Sequence, residues 1–223
     1  MAPPNPLMQP TNAGGAKLRP PLPADGGQRN VSSHRSFAAD QPSVRQHAWS
    51  SGVVVLRATK KVLSHLAQAQ SVVGPSDTAL GDWYVTRFVV DRRPLLLLVS
   101  SQSLLSVVVP ARDVRGLPDR LAGLIATRLR RLGIAKALIE AEVAAMDPVC
   151  VANTQDRSVL GSMVDFVKAI PVYLPVGGWD LTSLPFIEAR LAETPCRVSG
   201  PIDAAIFPIR AAPDLLAARW HAA

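Results

Sequence analysis

GDWYVTRFVVDRRPLLLLVSSQSLLSVVVP, residues Gly81 to Pro110, decides the fold. Trp83 to Val90 is rich in aromatic and β-branched side chains, which suit a pleated, half-buried surface. Asp91-Arg92-Arg93-Pro94 breaks that run, and Pro94, which has no N–H for a central ladder, belongs at a turn or at the first position of a strand. Leu95 to Val99 is continuously apolar, the pattern of a strand buried on both faces. Ser100 to Ser103 is a polar connection, and Leu104 to Val109 is a third run stopped by Pro110. Connections this short join antiparallel neighbours, so the stretch predicts a three-strand meander over about 82–109, with Arg92 and Arg93 at a hairpin tip.

Working outward, Val53 to Arg57 predicts a strand, and Thr59 an N-cap for a helix from Lys60 to about Gln70 with Lys60 and Lys61 in its first turn. Downstream, Leu117-Pro118 opens a helix whose leucines recur at helical spacing as far as Leu132, with Gly133 as its stop. Arg128, Arg130 and Arg131 fall in the last turn, where cations complement the helix dipole. Ile134 to Met146 is a further helix ended by Asp147-Pro148, and Pro148 to Ala152 a short additional strand. Ser183-Leu184-Pro185 begins a helix that ends at Thr194-Pro195, and Asp214 to Trp220 is a short terminal one. The sum is an α+β domain over 53–197, a small, mainly antiparallel sheet covered by four or five helices. An Ala/Pro-rich C-terminal extension, 198–223, lies outside it.

Residues 1–52 are set apart by composition. The first fifty hold eight prolines, four glycines and few large apolar side chains, too little burial to offset the entropy of ordering. They read as a disordered tail. Order beginning at Gly52-Val53-Val54-Val55 also carries a second expectation, a true start near those valines with the preceding residues absent from the native protein.

Asn153 to Ile170 carries the most chemistry. On a helical wheel Val159, Leu160, Met163, Val164, Phe166, Val167 and Ile170 fall on one side, and Arg157, Ser158, Gly161, Ser162, Asp165 and Lys168 on the other. Asp156 and Thr154 are the N-cap candidates. Gly161 lies in the polar stripe, and a glycine inside a helix is tolerated where another backbone or a ligand approaches closely. The expected binding surface is therefore Arg157, Ser158, Gly161, Asp165 and Lys168, with Lys60, Lys61, Arg92 and Arg93 as candidate neighbours. Its partner is a protein or a nucleic acid. The alternative is a phosphate-directed hydrolase or nuclease, with Asp165 as base or metal ligand and Arg157 and Lys168 stabilising an oxyanion or phosphate. That reading requires a concave pocket where this face meets Asp82, Asp91 or His65.

Other chemistries find no support. Cys150 and Cys196 form no CxxC pair and no disulfide framework, which fits a reducing, cytoplasmic setting. His65 has no His, Cys or paired carboxylate spaced with it, so no metal site is expected. GxGxxG, GxxxxGK[ST] and HExxH are all absent, and no cofactor is implied. No run reaches the roughly 18–20 apolar residues of a membrane span. The formal charge of +7 is spread along the chain, a weak pointer to anionic partners.

Several segments together resemble a family of uncharacterised bacterial proteins, a domain of unknown function. They are Arg57-Ala58-Thr59-Lys60-Lys61, Gly81-Asp82-Trp83-Tyr84, Asp91-Arg92-Arg93-Pro94-Leu95-Leu96, Arg157-Ser158-Val159-Leu160-Gly161-Ser162-Met163 and Leu191-Ala192-Glu193-Thr194-Pro195. The resemblance covers about 53–197. It implies a domain beginning just before the RATKK segment and no established activity. The family pattern often has Asn where this chain has Val164 and Ala192.

Overall fold

The computed structural model describes residues 52–66, 73–175, 178–197 and 205–221. Residues 1–51 of the expected tail, residues 198–204 and 222–223 of the expected extension, and the stretch 67–70 of the helix expected to reach Gln70 lie outside the described residues.

The meander is present as β2 (Trp83–Val90), β3 (Arg93–Ser100) and β4 (Ser106–Pro110). β2 and β3 pair antiparallel from Trp83–Ser100 to Val90–Arg93, and β3 and β4 from Leu95–Pro110 to Val99–Ser106. The β2–β3 turn consists of Asp91 and Arg92, both at positive φ (46° and 63°), as a two-residue turn matched to strand twist demands. Pro94 is the second residue of β3. The Ala111 N–H donates to its carbonyl at 3.0 Å, so at this last bonded pair of the ladder only one bond is lost.

Two further strands extend the sheet. β1 (Val54–Ala58) lies parallel to β2, and β5 (Val149–Asn153) parallel to β1 on its other side, giving the order β4-β3-β2-β1-β5. The antiparallel β2–β3 ladder is the longest and the parallel β1–β2 ladder the shortest. β1 meets β2 only from Leu56–Trp83 to Ala58–Val85, and one more bond, Thr59 N–H to the Val85 carbonyl, ends that contact. β2 itself runs on to Val90.

Helices cover both faces. Val54, Leu56, Trp83, Val85, Leu96 and Leu98 pack with α1 (Lys60–Leu63), α2 (Leu117–Arg131) and α3 (Lys136–Ala144). Tyr84, Phe88, Leu95, Leu97 and Val99 pack with α4 (Arg157–Tyr173) and α5 (Leu184–Ala192). The side chains of β3 thus alternate between two cores, which is why the strand is apolar without interruption. A 3-10 turn (Leu181–Ser183), capped by Asp180, leads into α5. A two-stranded ribbon, β6 (Cys196–Arg197) with β7 (Ala205–Ile206), and α6 (Pro208–Trp220) complete the chain. The domain end expected at residue 197 leaves α6 outside. In the structure its Ala212 and Leu216 are fully buried in the cluster shared by β1, α2 and α3.

Two buried carboxylates join elements distant in sequence. Glu142 of α3 accepts from the Ala79 and Leu80 N–H groups at 2.8 and 3.0 Å, and from the Trp220 indole at 2.8 Å. Glu188 of α5 accepts from the Val108 N–H on the outer side of edge strand β4 at 2.9 Å. Beside it Arg128 of α2, 2% exposed, donates to the Ser106 carbonyl and to the Glu188 carbonyl. Arg128 is therefore not the surface cation expected at a helix end. With Glu188 it closes the bonding edge of β4, the side on which an unprotected sheet would recruit another strand.

Candidate functional site

α4 is built as its sequence pattern demands. The Asp156 carboxylate caps it, accepting from the Ser158 N–H at 2.7 Å, and Val159, Met163, Phe166 and Ile170 are its buried side. The helix runs past Ile170 through Pro171 to Tyr173. Its polar stripe stands in solvent. Arg157, Gly161, Asp165 and Lys168 are exposed and Ser158 half-buried. Lys168 Nζ lies 3.8 Å from Asp165 with both side chains about three-quarters exposed (74% and 78%), so this pair contributes tenths of a kcal/mol at most. A Cβ placed on Gly161 meets nothing within 4 Å. The packing of the domain does not require glycine there.

Two hollows flank α4. The smaller, about 360 Å³, is lined by Ser158, Gly161, Ser162, Asp165, Phe166 and the 194–196 segment. Burial pushes the Cys196 thiol beside it up to about 11, with Asp165 adding to the shift, so this sulfur stays protonated and is a poor nucleophile at neutral pH. Cys150 is likewise a free thiol.

The larger, about 540 Å³, lies past the end of β1, between α4 and the continuing half of β2. Phe88, Leu160, Met163 and Val167 make an apolar floor, Val164 (53% exposed) and Thr86 line its sides, and Lys61, Arg87 and Lys168 supply its cations. The structure thus brings Lys61 and Lys168 of the expected set to one groove. Lys60 stands exposed beside it in sequence and does not line it. Thr86, Arg87 and Phe88 went unrecognised in the sequence because they read only as part of a strand. Val164 was visible as the residue that breaks with the resembled family's pattern.

Arg92 and Arg93 belong elsewhere. Arg93 donates to the Trp179 carbonyl at 2.6 Å, and its guanidinium sits 4.8 Å from the centroid of that indole. The Trp179 indole N–H in turn donates to Asp91 at 2.7 Å. These residues fasten the β2–β3 turn to the segment before α5. Arg92 is exposed at the tip.

Nor do Asp82, Asp91 and His65 come to the α4 face: among the described residues, neither hollow beside α4 is lined by any of the three. Asp82 pairs with Arg57 and accepts from the Ser76 hydroxyl at 2.6 Å, while Arg57 also donates to the Asn153 carbonyl. This ties β1 to β5 and to the 76–82 loop. The Tyr84 hydroxyl accepts from the Asp156 N–H at 3.1 Å, and burial raises its pKa. His65 is exposed near Arg87 and Asp113. A hollow of about 590 Å³ lies over that 76–82 loop, walled by α6. Of its polar groups, Thr78 donates to the Gly81 carbonyl, Ser76 to Asp82 and Arg219 to the Asp77 carbonyl.

Among the described residues no group of three or more His, Cys, Asp or Glu side chains is placed to hold a metal, and no helix is long and apolar enough to cross a membrane. A family model described as a domain of unknown function, DUF6933, matches residues 55–211. No curated protein matches the chain.

Proposed function

The chain belongs to that family of unknown function, and from this premise we propose that it is a cytoplasmic, non-enzymatic binding module whose partner is a protein segment carrying apolar and acidic side chains. The observation that supports this reading is the groove between α4 and β2, with its apolar floor and its three cations, Lys61, Arg87 and Lys168. A floor without an exposed aromatic face favours protein side chains over nucleic acid, since bases are held by stacking on such faces, and Phe88, the one aromatic among the described residues of the groove, is 8% exposed. The rest of the polar stripe, Arg157, Ser158, Gly161 and Asp165, forms the ridge beside the groove, where the open space over Gly161 lets a partner backbone come close.

Fluorescence anisotropy with the full chain tests this. An acidic, valine- and leucine-containing peptide is compared with a single-stranded oligonucleotide of equal charge. The peptide is expected to bind and the double variant K61E/K168E to weaken it by about tenfold. An oligonucleotide that binds more tightly, with affinity falling steeply with salt, moves the assignment to nucleic acid. Equal binding to the native chain and K61E/K168E removes the groove from the reading.

A further inference from the structure

The geometry points to a bonding mode for the partner in that groove: an extended segment that adds to the sheet as a short strand along β2, beside Arg87 and Val89. This rests on the groove being the binding site and goes beyond it by naming the backbone groups that hold the partner. The β2–β3 turn has two residues, so Val90 and Arg93 are a hydrogen-bonded pair, and alternation then directs the backbone of Val90, Phe88, Thr86 and Tyr84 to β3. Trp83, Val85, Arg87 and Val89 present theirs to the opposite side. Val85 is satisfied there by the Thr59 N–H. Beyond it, among the described residues, no backbone group bonds to Arg87 or Val89 on that side. Val89 is also 59% exposed, unusual for a valine in a strand that is otherwise central.

Three features make this an acceptor for a strand. Among the described residues, the N–H and C=O groups of Arg87 and Val89 form a short unpaired edge, the template used when peptides augment sheets. The groove runs beside that edge, so every second side chain of an added strand points to Phe88, Leu160 and Val164. The cations at its rim select acidic side chains.

The same charges oppose two other occupants. A second copy of the domain would bring its own Lys61, Arg87 and Lys168 against these. The chain's first fifty residues carry five Lys/Arg and two Asp/Glu, the wrong sign for this rim. By contrast the outer edge of β4 is closed by Glu188 and Arg128.

Selection from a displayed library of random decapeptides against the full chain, followed by amide hydrogen exchange on the complex, tests the proposal. The expected result is enriched peptides with apolar residues at every second position and acidic residues between them. They should lose about tenfold in affinity on K61E/K168E, and the Arg87 and Val89 amides should become protected in the complex. N-methylation of the peptide at alternate residues should abolish binding in one phase and spare it in the other. Peptides that depend on Lys61 and Lys168 but carry helical apolar spacing and protect neither amide would overturn strand addition and leave the groove assignment standing. Peptides indifferent to K61E/K168E would overturn both.

Discussion

Arg92 holds φ 63° at the β2–β3 turn, a conformation that costs a non-glycine residue about 1 kcal/mol. Its side chain is exposed, so R92G should raise stability by about 1 kcal/mol in urea unfolding, and a loss would show that the guanidinium holds something. Gly161 is the converse case. With open space around it, G161A should stabilise α4 by about 0.5–1 kcal/mol while weakening the partner. A stabilised variant with unchanged binding would mean that the glycine serves no close approach. Glu142 sets a pH dependence. Burial raises its carboxyl above the ordinary value of 4.5, outweighing the pull of its N–H donors in the other direction. In the window that opens at 4.5, the folded chain therefore keeps a proton that the unfolded chain has released, and stability declines as pH rises to the folded value. The stability of the native chain relative to E142Q should fall across that window, and a difference that rises with pH would contradict the burial argument.

At the scale of elements, the meander and α4 were legible because each is written locally: aromatic and β-branched or apolar runs broken at Asp91–Pro94 and Ser100–Ser103 for the strands, the separated wheel and Asp156 for the helix. The double burial of β3 was legible from its unbroken apolar run, Leu95 to Val99. The parallel partners of β1 were not, since a five-residue apolar strand carries no mark of its neighbour. Nor were the roles of Glu142 and Glu188, since nothing in a helix's own sequence distinguishes a buried acid from a surface one. Their burial is set by backbone N–H groups 62–63 and 80 residues away in the chain. The edge closure follows from one of them. E188A would leave Arg128 buried without its carboxylate and the Val108 N–H unpaired, at a cost of about 3–5 kcal/mol. The double change R128M/E188L should restore much of that loss. Chemical denaturation of the two variants decides it, and equal destabilisation of both would place the effect in packing instead.

For the whole molecule, the two cores share a sheet, and the C-terminal helix α6 seals one of them. A chain ended after Phe207 loses the burial of Ala212 and Leu216 and the Trp220 donor to Glu142. It should be less stable by about 3–5 kcal/mol, roughly 10–20 °C in midpoint, by thermal unfolding. An unchanged midpoint would detach α6 from the fold. The site was half legible at this scale. Lys61 and Lys168 were singled out by charge and helical phase, but a groove arises only where β1 stops short of β2, a mismatch in strand length that no single segment records.

That mismatch has a consequence in time. From Arg87 to Val90, at about 3.3 Å per residue, there is room for about four residues of an incoming chain, some 13 Å. So short a contact falls at the small, transient end of protein association. A guest held there exchanges quickly, and its occupancy follows the guest's concentration from moment to moment.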